Sequence, residues 1–338
     1  LYVRGVLSAP VMKWQIHTLN GIILAVSLIS AIGAGWIIIS FLLFKAVRTF
    51  RHQLILGLAI SDFWMAINFM SSTAVNLSGH IISGKAEKPF CSFNGFMTQL
   101  FVVQTDYWVF TIALCTFLIL ANYKHQASWI QEHRIILWCL PWGLSTAWAA
   151  MGLGITGYGD IGAWCWFTSD RTRLLVNFIP RWIIIITILG LYIRLYQLIY
   201  KAHTRFQSFD NNPPGSLEPE TESVSSTRRI GRPNESMGMS KGSDMERSGV
   251  TNETRYMRTP TPWLKKMAYQ MMSYPLVYMF IWTIPTSIRI YQCVQHKPAP
   301  FWIATIDKGC IVVQGFADAI IYGINEASLL AWRDTLSR

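Results

Sequence analysis

Apolar residues run along the chain in long blocks separated by polar loops. A bilayer core of about 30 Å takes roughly 20 apolar residues as a helix. Seven blocks meet that length, at 18–44, 54–78, 91–122, 134–155, 174–200, 264–293 and 302–325. The pattern predicts an all-α membrane protein, a seven-transmembrane helix bundle. The third and fourth blocks mix Trp, Gly and polar residues, as spans facing a bundle interior do. Residues 207–263 are different material, rich in Ser, Thr, Gly, Asn and Pro with few large apolar residues. Such a segment cannot bury enough surface to order itself, so it is expected to be a disordered loop. The expected organisation is 1–17 N-terminal segment, 18–206 spans one to five, 207–263 loop, 264–325 spans six and seven, and 326–338 a juxtamembrane amphipathic helix. In that last piece Leu329, Trp332 and Leu336 share one face, with Arg333 and Asp334 off it, which suits the plane of a membrane interface.

Charge orients the bundle. One set of loops and span ends holds eight Lys and Arg, and the other holds twelve before the 207–263 loop is counted. Cytoplasmic loops carry the excess of Lys and Arg, so the N-terminus is expected outside and the C-terminus inside. In that orientation the hydroxyls in "SSTRR" and "SGVTNETR" are open to phosphorylation, or the loop is a plain linker. Asn76, in the sequon "NLS", lies outside but close to the membrane. The chain begins at Leu1, so trimming is expected there, and the first span can serve for insertion.

Composition agrees with the pattern. Of 338 residues 52% are hydrophobic and only 14% charged, where a soluble domain carries nearer a quarter. The formal charge of +11 follows from loop placement between spans and does not call for nucleic acid. Six Cys without a CxxC pair give neither a disulfide scaffold nor a zinc site. No HExxH, GxSxG or P-loop is present, so neither an enzyme nor a cofactor is expected.

Cys91 opens span three on the outer side and Cys165 lies in the second outer loop, within "GAWCWF". Both face an oxidising compartment and can bridge. Cys293 and Cys310 are a second candidate pair, while Cys115 and Cys139 read as small buried apolar groups. Carboxylates are costly in hydrocarbon and face a bundle interior or water. Asp62, in "LILGLAISDF", lies roughly 13 Å from the inner end of its span, and Asp318 roughly 10 Å from its own. The two acids are expected at similar depth, protonated, hydrated or sharing a cation. Asp106, Asn68, Ser61 and Gln314 are candidates for the same polar network, which either switches between two packings of the bundle or holds the helices together. Gln99 lies one heptad from Asp106 and nearer the outside. Gln99, Trp166, Arg181 and Arg289 are candidates for the ligand pocket, the two arginines either snorkelling to headgroups or binding an anionic or hydroxyl-rich ligand. Pro275 and Pro285, with Trp282 between them, make span six a candidate hinge. Lys308 stands in the seventh span as a Schiff-base lysine would. Its place near the outer end, after Asp307 and without deep burial, argues against a chromophore.

These features together resemble a G-protein-coupled receptor. "VQGFADAIIYGINE" (313–326) resembles the seventh helix shared by slime-mould cAMP receptors and secretin-type receptors. "YPLVYMFIWTIPTSIRI" (274–290) with "LGLAISDF" is similar to the fungal cAMP-receptor-like receptors, which include glucose sensors. The stretch after span three, "LANYKH", has no D-R-Y, and no NPxxY closes span seven. The resemblance implies a plasma-membrane receptor passing a small extracellular signal, nutrient or cAMP-like, to a heterotrimeric G protein and on to cAMP signalling. It places Lys124, Arg134, Lys201, Lys265, Lys266, Asn325 and Glu326 towards Gα. A lipid ligand, membrane lipids and a second copy of the chain are further candidate partners. The alternative is a transporter or channel with a polar path along Asp62, Asp106 and Asp318. No repeat relates the two halves, as a duplicated transporter would have.

Overall fold

The structure, a computed structural model, describes residues 12–45, 48–80, 82, 84–121, 132–210, 262–295, 299–325 and 332–335. The helices are α1 (Lys13–Leu43), α2 (Phe50–Leu77), α3 (Lys88–Leu120) and α4 (Arg134–Ile155). A small hairpin follows, β1 (Gly159–Asp160) and β2 (Cys165–Trp166), with Gly159 opposite Trp166 and Asp160 opposite Cys165. A helical turn (Asp170–Arg173) and a π-helical turn (Leu174–Phe178) lead into α5 (Ile179–Asp210). Then come α6 (Pro262–Gln295), α7 (Phe301–Val312) and α8 (Gln314–Asn325). Among the described residues, five helical segments are long and apolar enough to cross a membrane on their own: α1 to α4 and Leu174–Leu198.

The chain divides into two compact units, Leu1–Tyr196 with Pro260–Arg338, and Gln197–Thr259. The described part of the second is the end of α5, which runs past residue 206 to Asp210. Of the expected 207–263 loop, residues 211–261, with the phosphorylation candidates, lie outside the described residues, and 262 and 263 begin α6.

Within the first unit α3 is the central helix. It buries residues on every side, among them Gln99, Phe101, Gln104, Asp106, Trp108 and Ile112. The Trp108 indole lies across α2, where a Cβ on Gly57 would come within 2.4 Å of the ring; only glycine lets the two helices approach this closely. The fourth span departs from expectation. Only Pro141, Ser145, Ala149 and Gly152 of α4 are buried, while Ile135, Leu140, Leu144 and Met151 are exposed. Small residues on one strip fit α4 against the bundle, and the remainder is apolar enough to face lipid.

The seventh span is broken between α7 and α8, where sequence periodicity predicts one helix over 302–325. Ser30 of α1 supplies the reason. Its hydroxyl donates to the Val312 carbonyl (2.6 Å) and accepts from the Phe316 N–H (3.2 Å). Those are the two groups a continuous helix would bond to each other, so the side chain is spliced into the helical ladder.

Candidate functional site

Cys91 and Cys165 are disulfide-bonded, with Cα atoms 5.4 Å apart. Cys310 and Cys115 are free thiols, so Cys310 forms no second bridge, and Cys139 is also free but exposed rather than buried. The Cys91–Cys165 bridge pins the hairpin over one end of the bundle, called here the bridge end. All seven residues of "IGAWCWF" (161–167) are buried. Polar side chains hold them by their backbone. Cys165 N–H donates to Asn94 Oδ1 (2.8 Å). Gly162, at φ 107°, turns its carbonyl to the amides of Asn20 (3.1 Å) and Asn76 (3.5 Å). Asn76, the sequon residue, also donates to Asn20 Oδ1 (3.0 Å), so its amide is committed to the bundle. Burial pushes the Asp160 carboxyl above the usual carboxylate range, partly offset by the Gly162 N–H and the charge of Lys308.

Below the hairpin Gln99 is held at both ends. Its amide oxygen accepts from Trp166 Nε1 (2.8 Å) and its nitrogen donates to Asn177 Oδ1 (3.0 Å). The π-helical turn puts Asn177 on the buried side. Asn68 does not join Asp62. It bonds Thr98 Oγ1 (3.0 Å) and the Asn94 carbonyl (3.1 Å), and accepts from Asn94 Nδ2 (2.9 Å). The expected single polar network is therefore several, because Asn68 turns toward α3.

Two buried arginine–aspartate pairs occupy the interior. Arg181 Nε donates to Asp106 Oδ1 (2.9 Å) and Nη2 to Oδ2 (3.0 Å), a two-point fork. The Tyr278 hydroxyl accepts from Arg181 Nε (3.0 Å) and donates to Asp106 Oδ1. Trp282 covers the guanidinium at 3.3 Å from its ring centre. Nearer the hairpin, Arg289 Nη2 donates to Asp307 Oδ2 (2.7 Å) and Nη1 to Gln292 Oε1 (2.8 Å). Snorkelling is excluded for both arginines, since Arg181 is 0% and Arg289 7% exposed. Both guanidinium groups lie 5.9 Å from the Phe178 ring centre, so one ring connects the pairs. Lys308 is buried, contrary to its expected shallow position, and donates to the Ile161 carbonyl (2.6 Å). It anchors the hairpin to α7.

Asp62 and Asp318 stand side by side, both 1% exposed. Gln314 Nε2 donates to Asp318 Oδ2 (3.4 Å). Asp106 is bonded to Arg181 rather than to either of these acids. Pro275 and Pro285 are both inside α6, and Tyr278 and Trp282 fall between them. At the opposite end Arg134 is exposed, its guanidinium 5.8 Å from the Phe50 ring centre. Lys201 is exposed on α5. Lys265, Lys266 and Asn325 are in helices but their side chains are outside the described residues, as are Lys124 and Glu326 entirely. Of the amphipathic segment, Trp332 is described. Its Nε1 donates to Ser40 Oγ (2.8 Å), and its ring lies 5.3 Å from that of Phe44. Sequence reasoning missed Tyr278, Asn94, Asn177 and the pairing role of Asp307. The signal for Asp307 was present, as an acid in a span that also needed a partner for Arg289.

A bundle of membrane helices with the loop between α4 and α5 bridged to the start of α3 defines the class: a seven-helix receptor fold. Squid rhodopsin has that fold, with a TM-score of 0.64 at 14% identity over 100% of this chain and 93% of the rhodopsin chain. More particularly, the chain belongs to the family of G protein-coupled glucose receptors regulating Gpa2, whose models match residues 16–206 and 261–333. It is 39% identical over 382 residues to Ascaroside receptor GPR2 of Arthrobotrys oligospora, covering 99% of this chain and 94% of that receptor. It is 29% identical over 171 residues to Cyclic AMP receptor-like protein A of Dictyostelium discoideum, covering 50% of this chain and 42% of that protein. The chain is a multi-pass G-protein-coupled receptor that signals to a G protein.

Proposed function

We propose that the bridge end faces the cell exterior and receives a small ligand, and that α6 carries the signal to Gα at the opposite end. The receptor then sits in the plasma membrane with its N-terminus outside. One observation carries this reading. Tyr278 and Trp282, the two side chains gripping the Arg181–Asp106 pair, both lie between Pro275 and Pro285 of α6. Movement of that segment must release or drag a buried ion pair, so the helix has two discrete settings instead of a continuum. Phe178 links that joint to Arg289, near the hairpin. The ligand is a glucose-like or ascaroside-like molecule by likeness to the relatives, and cAMP signalling lies downstream. The family resemblance directs Lys201, Lys265, Lys266, Lys124, Arg134, Asn325 and Glu326 to Gα, and anionic lipid headgroups suit the basic ones. The test is GDP release from a Gα subunit by the full chain in lipid nanodiscs. Acceleration by wild type, altered by Tyr278→Phe, is expected. An unaltered profile in Tyr278→Phe would remove α6 from the pathway.

A further inference from the structure

The two buried pairs are chemically alike but not equally complete. A guanidinium edge offers two N–H groups to the two oxygens of a carboxylate. Arg181 and Asp106 make both bonds of this fork. Arg289 and Asp307 make one, from Nη2 to Oδ2. Arg289 Nε and Asp307 Oδ1 are buried and have no partner. Nε is bonded to the same carbon as Nη2, and Oδ1 to the same carbon as Oδ2, so each unused atom is two covalent bonds from an atom of the bond that is made. One is a donor lacking an acceptor and the other an acceptor lacking a donor. Buried polar groups are rarely left in this state without a reason.

We propose that this open side of the Arg289–Asp307 pair reads a hydroxyl group of the ligand. The hydroxyl oxygen accepts from Arg289 Nε and its hydrogen is donated to Asp307 Oδ1. A ligand carboxylate would satisfy Nε but has no hydrogen to donate to Asp307 Oδ1. An ammonium would satisfy Oδ1 and offer nothing to Nε. A hydroxyl does both through one atom, which makes an uncharged, hydroxyl-bearing molecule the class this position selects. The surroundings suit a small-molecule site, with aromatic walls and few polar groups: Phe178 lies beside Arg289, and Trp164 beside Lys308. Both unused atoms are shut off from solvent, so a ligand reaches them only when the hairpin yields, and the bond from Lys308 to Ile161 is the contact that opens. The assignment rests on the reading that the bridge end takes the ligand.

The experiment titrates the full chain in nanodiscs with D-glucose, octyl glucoside, the single-deoxy glucoses and gluconate, following thermal stabilisation. Wild type is expected to bind a hydroxylated probe, to bind one deoxy form roughly 10- to 100-fold more weakly, and not to prefer gluconate. Arg289→Lys and Asp307→Asn are expected to lose the same factor for the parent probe and nothing more for that deoxy form. The deoxy series on wild type stands even where a variant fails to fold. Preference for gluconate, no binding of either neutral parent probe, or unchanged affinity in Arg289→Lys, which would leave the position to an ordered water, each overturns the proposal. Gln99→Leu separates the two levels. Affinity lost there but kept in both pair variants defeats only the hydroxyl assignment. Affinity kept in all three defeats the bridge-end reading as well.

Discussion

Arg181–Asp106 and Arg289–Asp307 use the same two residue types, and both are buried among helices, yet they do different work. The first closes its fork and adds a phenol and an indole from α6. Both bonds of the fork between the two charges are made, which ties α3, α5 and α6 at one point, while Arg181 Nη1 is buried without a hydrogen-bond partner. The second sits beneath the hairpin with a single bond made, and its Nε and Oδ1 have no hydrogen-bond partner. Completeness makes a joint, and incompleteness leaves a position to be read. Burial alone does not distinguish the two.

The comparison breaks most sharply at the carboxylates. Asp106→Asn leaves the Arg181 charge buried without its counter-charge and is expected to cost about 3–5 kcal/mol. Asp307→Asn leaves Arg289 its Gln292 partner near the bundle end, and about 1–3 kcal/mol is expected. Unfolding of both variants in nanodiscs checks the order, and equal losses would erase the distinction. Next, Tyr278→Phe removes the bond to Asp106 and the one from Arg181 and is expected to cost about 1–2 kcal/mol while raising basal nucleotide exchange. Phe178→Leu, which alters the ring between the pairs, should cost less than about 1.5 kcal/mol. Its effect falls on ligand-stimulated exchange, with basal exchange kept; an intact response would show that the pairs act independently. Asp62→Asn should leave stability within about 1 kcal/mol and change stimulated exchange, and if exchange and expression both hold, Asp62 is packing. The smallest effect belongs to Asp160. Its carboxyl is held above the ordinary range by burial, so the folded state binds the proton more tightly than the unfolded one. Stability then falls as pH rises from the ordinary carboxylate value, about 4, through the raised one. Asp160→Asn should flatten that slope in a pH series of melting temperatures.

Much of this was legible in the chain, and the limit has a physical cause. Hydrophobic length marks a span, and an ionisable residue inside it marks an interior face, so Asp62, Asp106, Arg181, Arg289 and Asp318 stood out. Periodicity tells which side of a helix is polar but not which helix lies opposite. Asp106 therefore reads as a candidate for the Asp62 network, although its charge partner is 75 residues further on in α5. Tyr278 was invisible because an aromatic in a membrane helix is ordinary until its hydroxyl is seen on a carboxylate. The fourth span misled because Trp and Gly suit a packed interior as well as a lipid-facing helix with one small-residue strip. The break in the seventh span could not be read from that span, since its cause is a serine in α1.

That serine also bears on biosynthesis. Ser30 leaves the ribosome 282 residues ahead of Val312 and 286 ahead of Phe316. The Val312 carbonyl takes its hydrogen from a segment made far earlier, while the Phe316 N–H also has the Val313 carbonyl within its own span (3.1 Å). The seam between α1 and the seventh span therefore closes only after both segments have been made.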